Sequence, residues 1–138
     1  MRRRDFLLRG VAAGAGVLAS PGLHPQESAG SVCPGIPIIV STWGFGRAAN
    51  LEALDILEAG GSVLDAVERG VMTAEANPVI STVGYGGYPN REGEVELDAA
   101  ICEGKTRDGG AVCALTGFRH PVQVARKVME DSPHLMLV

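Results

Sequence analysis

Gly44-Phe45-Gly46-Arg47-Ala48-Ala49 follows an apolar, β-branched run and leads into an amphipathic one. On paper it is the G-x-G-x-x-A turn that cradles a dinucleotide pyrophosphate. Trp43, the chain's one tryptophan, stands beside it. That chemistry makes a further demand, a second parallel strand ending in Asp or Glu about 20 residues beyond the glycines, to hold a ribose. The acidic residue at that distance is Asp65, which begins a second helical pattern, and no strand pattern lies between Gly60 and Pro78. The nucleotide reading fails on context, and no cofactor is expected. What remains is Trp43 and Phe45 on either side of Gly44 at a strand end. In an extended chain both rings project to one side. They are then core residues or the wall of a substrate pocket, and the residues alone leave these two readings even.

Other reactive groups are scattered. Cys33, Cys102, Cys113, His24, His120 and His134 match no zinc spacing, so no metal is expected. An oxidising compartment would permit a disulfide, and Cys102 and Cys113 flank an expected hairpin turn. Buried free thiols are nevertheless the expectation for at least two of the three cysteines. A net charge of −4 on 138 residues, with three Phe, two Tyr and one Trp, argues against nucleic acid as a partner. Such binding needs clustered cations or stacking platforms.

The N-terminus reads as an address. "MRRRDFLLRG" is basic, and the apolar stretch Val11 to Ala19 is too short to cross a membrane. Arg3-Arg4-Asp5-Phe6-Leu7 resembles a twin-arginine export signature. Residues 1–30 are therefore expected to be signal and linker, cleaved between Ala19 and about Ala29, and residues 31–138 the folded part of a periplasmic or secreted protein.

Within that part, Ile36 to Thr42 predicts a buried strand and Ala48 to Ala59 a helix ended by Gly60-Gly61. Ser62, with Asp65 three residues on, predicts a capped second helix. Its stripe is Val63, Ala66, Val67, Gly70, Val71 and Ala74, and Asn77-Pro78 stops it. "EVELDAAIC" and "GAVCALTG" predict a hairpin across "EGKTRDG", with Asp108-Gly109 in the turn. Pro121 opens a third helix with Val124, Ala125, Val128 and Met129 on its face. Asp98 calls for a structural partner near the strand core, whereas Asp65 and Glu68 suit a solvated or capping face. "HLMLV" starts a further strand, and because it stops at Val138 without a neighbour, the natural domain is expected to continue.

Five blocks, "STWGFGRAAN", "LEAGGSVLDAVERGV", "STVGYGGYPNREGEVELDAAI", "GAVCALTGFRHPVQVARKVME" and "SPHLMLV", resemble in order the asparaginase/glycosylasparaginase family of N-terminal-nucleophile hydrolases. Thr-Trp-x-Phe and Thr-Val-Gly-Tyr-Gly-Gly bring the chain nearer to the glycosylasparaginases. The resemblance implies an α/β (α+β) fold, the N-terminal part of a four-layer αββα sandwich. It implies a precursor that cleaves itself before an internal threonine, whose hydroxyl then attacks an asparagine side-chain amide with its own amino group as base. Trp43, Phe45 and Thr82 would line the substrate site; Thr82 is equally readable as a loop hydroxyl bonded to its own backbone. Asparagine or glycosylasparagine is the implied substrate. The implied partners are the C-terminal part of the same precursor and further copies of the processed unit. The nucleophile and the oxyanion donors match nothing in these residues, so no catalytic residue is assigned and the chain alone is expected to be inactive. The rival expectation is a non-catalytic remnant or binding protein that retains half the fold.

Overall fold

In the computed structural model, which describes residues 37–138, glycine and serine punctuation divides the first half of the chain as the sequence predicts. The export signature, the linker, His24 and Cys33 lie outside the described residues. Helix α1 spans Gly46–Glu58 and helix α2 spans Val63–Glu75. Gly60 takes φ +82°. Its N–H donates to Leu57 O at 3.0 Å, while the Gly61 N–H donates to Ile56 O at 2.9 Å. This paired closure satisfies the last carbonyls of α1.

Ser62 Oγ accepts the Asp65 N–H at 3.0 Å and donates to Asp65 Oδ2 at 2.6 Å. Replacing Ser62 with alanine removes this cap and is expected to cost about 1 kcal/mol, measurable as a lower urea midpoint at unchanged slope. The two helices meet at buried Gly70, where a Cβ would lie 2.7 Å from Ala49 O. Only part of the expected stripe is covered: Ala66 is buried, but Val63 and Val67 remain exposed.

Strands β1 (Leu97–Glu103), β2 (Asp108–Leu115) and β3 (Met136–Leu137) form a sheet in that order, β1 antiparallel and β3 parallel to β2. Helix α3 (Pro121–Asp131) makes the crossover between β2 and β3, with Pro121 in its first turn. Ile101, Val112, Val122, Ala125 and Val128 form the buried core between sheet and helix, and Leu64 and Met72 of α2 pack against it. Val122, absent from the expected face of α3, is among its most buried side chains.

Four expectations are corrected. Ile36 to Thr42 forms no strand over its described residues, and Ile38 and Val40 are exposed. Apolar residues make a strand only when a neighbour supplies the ladder, and among the described residues none runs beside them. Asp108-Gly109 belongs to β2, opposite Glu103 and Cys102, and not to the turn. The turn closes earlier because the Arg107 N–H donates to Glu103 O at 2.8 Å and the Thr106 hydroxyl donates to Glu103 Oε2 at 2.9 Å. Cys102 and Cys113 are free thiols, as expected, but neither is buried: Cys102 is exposed opposite Gly109 and Cys113 is half-buried. Finally, Asp65 and Glu68 do more than face solvent: Arg126 of α3 pairs with both, and with Glu130, fastening α2 to α3.

Asp98 has the partner its position calls for. A bulge between Leu97 and Ala99 turns its side chain toward β2, where Oδ1 accepts the Ala114 N–H at 2.9 Å. Ala114 itself takes φ +53°, so the carboxylate holds a left-handed residue in place.

Candidate functional site

Trp43, Phe45 and Thr82 come together. All three line one concavity of about 720 Å³, with Gly46 of α1, Glu75 of α2, Asp98 of β1 and Val122 of α3 also on its surface. The route differs from the sequence expectation, because the chain does not stay extended at Trp43. It turns, the Gly46 N–H donating to Trp43 O at 2.8 Å, and Phe45 becomes the residue that precedes α1. A Cβ at Gly46 would meet Ser41 Cβ at 2.3 Å, so this turn requires glycine for packing and not for phosphate. Trp43 is 67% exposed and Phe45 half-buried. That exposure excludes Trp43 from the core, and its side chain lies on the cavity surface.

Thr82 arrives on the loop between α2 and β1. Asn77 starts that loop by accepting the Val79 N–H on Oδ1 at 3.0 Å. A short 3-10 turn, Gly84–Gly86, follows, with Gly84 at φ +61°. The Tyr88 N–H donates back to Ser81 O at 3.2 Å, closing the loop on itself. Thr82 is exposed toward the cavity, and among the described residues no hydrogen bond ties its hydroxyl to the backbone.

A group that sequence reasoning missed lies at the cavity floor. Glu75, the last residue of α2, is 3% exposed. Its Oε1 accepts the Val122 N–H at the start of α3 at 3.0 Å, and its Oε2 faces His120 Nδ1 at 3.4 Å. Burial pushes the Glu75 carboxyl up to about 7, nearby Glu68 pushes the same way, and the Val122 bond opposes them. Burial lowers His120, with Arg119 and Arg69 adding to it. Both directions favour the uncharged forms of the acid and the imidazole. Glu75 and Val122 are 47 residues apart, and no local pattern announces such a pair.

Among the described residues no three His, Cys, Asp or Glu side chains gather as a metal site, and no helix is long and apolar enough to cross a membrane. Among the described residues, three helices, a small mixed sheet and an aromatic-walled cavity at their junction place the chain in the α/β class. Residues 34–138 match the sequence model of the family described as Asparaginase, and the chain belongs to that family of hydrolases. An N(4)-(Beta-N-acetylglucosaminyl)-L-asparaginase from Elizabethkingia miricola is 41% identical over 138 residues, 99% of this chain and 40% of that protein. An isoaspartyl peptidase/L-asparaginase from Rattus norvegicus is 43% identical over 109 residues, 79% of this chain and 32% of that protein. A plant-type L-asparaginase from Thermococcus kodakarensis is 49% identical over 78 residues, 56% of this chain and 25% of that protein. The chain thus spans two fifths or less of the length of these relatives.

Proposed function

We propose that this chain is the substrate-wall portion of an exported amidohydrolase that cleaves the side-chain amide of asparagine, free, glycan-linked or in a β-aspartyl dipeptide. The observation that carries the reading is the meeting of Trp43, Phe45 and Thr82 on one cavity surface. Trp43 offers a flat apolar face to the bound amino acid, Phe45 the adjoining side, and Thr82 a hydroxyl at the edge. The chemistry is supplied by the C-terminal part of the same precursor. A threonine freed by autoproteolysis attacks the amide carbonyl, its α-amino group takes the hydroxyl proton and returns it to the leaving amine, and water then releases aspartate from the β-aspartyl ester.

The four-layer αββα sandwich accommodates the sheet found here. Helix α3 covers one face, and the other carries Ala100, Cys102, Ala111 and Cys113, small residues at exposed or half-buried positions. A second sheet would pack closely on such a surface. Processed units assemble further into oligomers, and the Arg3-Arg4 signature directs the precursor to the periplasm or beyond.

The test uses the product of the complete reading frame, incubated with asparagine and with N-acetylglucosaminyl-asparagine. Aspartate release, accompanied by splitting of the precursor into two chains on a denaturing gel, is the expected result. No aspartate and no splitting would leave a binding protein built on half the fold. Residues 1–138 by themselves are expected to release none.

A further inference from the structure

Glu75 meets two of the segments that line the cavity, the start of α3 and the 3-10 turn. Its side chain takes the Val122 N–H of α3. Its backbone sits directly under the 3-10 turn, where a Cβ on Gly84 would lie 2.2 Å from Glu75 O. Thr82 is two residues from that contact. Its second oxygen and His120 Nδ1 are both buried without a hydrogen-bond partner, though they face each other at 3.4 Å. A buried polar atom without a hydrogen-bond partner is costly, and one proton between Glu75 Oε2 and His120 Nδ1 satisfies both atoms.

We infer that Glu75 is a positioning residue of the substrate wall: its carboxyl group, accepting the Val122 N–H and sharing a proton with His120 Nδ1, fastens the end of α2, whose backbone seats Gly84, to the start of α3. The kinetic side of this inference rests on the amidohydrolase reading; the structural side does not. The charged groups around the pair come from each packed element. Glu68 and Arg69 lie on α2, Arg119 and His120 at the entry to α3, and Glu96 and Asp98 of the β1 segment line the same cavity. The 3-10 turn contributes backbone, with Tyr85 its one titratable side chain.

The folded Glu75 carboxyl titrates near 7, above its ordinary 4.5. Between these values the folded chain holds a proton that the unfolded chain has released, so stability declines as the pH rises and the decline is complete once the folded value is passed.

The experiment compares the complete reading-frame product with its Glu75→Gln and Glu75→Ala forms. The first readout is the urea midpoint from pH 5 to pH 8.5, which needs no activity. Wild type is expected to lose stability across that range. Glu75→Gln, which keeps an acceptor for Val122 N–H and a donor for His120, is expected to lose the slope while staying folded. The second readout is steady-state kinetics at titrated active-site concentration. Glu75→Gln should stay within about threefold of wild type, and Glu75→Ala should raise KM by about tenfold or more with a smaller change in kcat. Equal pH slopes in wild type and Glu75→Gln would overturn the inference, and so would an unchanged KM in Glu75→Ala. If wild type releases no aspartate, the hydrolase reading fails, and the pH slopes decide the pair by themselves.

Discussion

Replacing Trp43 with alanine is expected to raise KM for asparagine substrates by about 30- to 100-fold in the complete gene product, with kcat falling much less. A ligand stacked on an indole gains roughly 2–3 kcal/mol from buried apolar area and ring contact, and each 1.4 kcal/mol is about tenfold in affinity. Trp43 is 67% exposed, so its loss removes little from the packed interior. The urea midpoint should therefore stay close to that of wild type, which separates a lost contact from a lost fold. Trp43→Phe keeps a flat apolar face and should recover most of the affinity. An unchanged KM in Trp43→Ala would remove the ring from the substrate wall, and the reading of the cavity would go with it.

The larger structural effect is expected at Gly84. Here a side chain is opposed twice. The residue takes φ +61°, a region that costs an L residue about 1–2 kcal/mol. In addition a Cβ would stand 2.2 Å from Glu75 O and 2.3 Å from Glu75 Cα, and both atoms are backbone held by α2. Overpacking against fixed atoms adds roughly 1–3 kcal/mol. Gly84→Ala should thus lower stability by about 2–5 kcal/mol, read as a shift of the urea midpoint, whereas Gly93→Ala, at φ +89° with open space around its Cβ, should pay the backbone cost alone. Equal losses at the two positions would mean that the loop yields at Glu75 and the contact fixes nothing.

Much of this architecture is legible in the residues because its determinants are local. Gly60-Gly61 ends one helix and Ser62 with Asp65 starts the next within a few residues. Pro121 marks the first turn of α3 in the same way. The hairpin was readable as two strands, but its turn was not. Asp108-Gly109 is a strong turn pair, yet Thr106 and Glu103 close the turn before it is reached, and a left-handed Arg107 takes the place a glycine would fill. Ile36 to Thr42 misled for a different reason: composition reports that a segment is to be covered, not what covers it. The site divides along the same line. Trp43, Phe45 and Thr82 are candidates through a resemblance spread over ordered blocks, and all three line the same cavity. Glu75 and His120 escaped because their chemistry exists only once α2 and α3 have met.

The seat at Gly70 bears on the order in which the chain assembles. The two helix backbones approach closely there, so α1 and α2 are joined within a thirty-residue stretch by contacts of short sequence separation. Such contacts require little loop closure, and they form on a faster timescale than pairings between distant segments. The helical hairpin is thus able to gather while the rest is still an open chain. Its final residue is Glu75, whose partner amide is 47 residues further on. Docking α3 on the carboxyl that ends α2 closes a much longer loop than the helical hairpin does, so the cavity floor is a joint of high entropic cost.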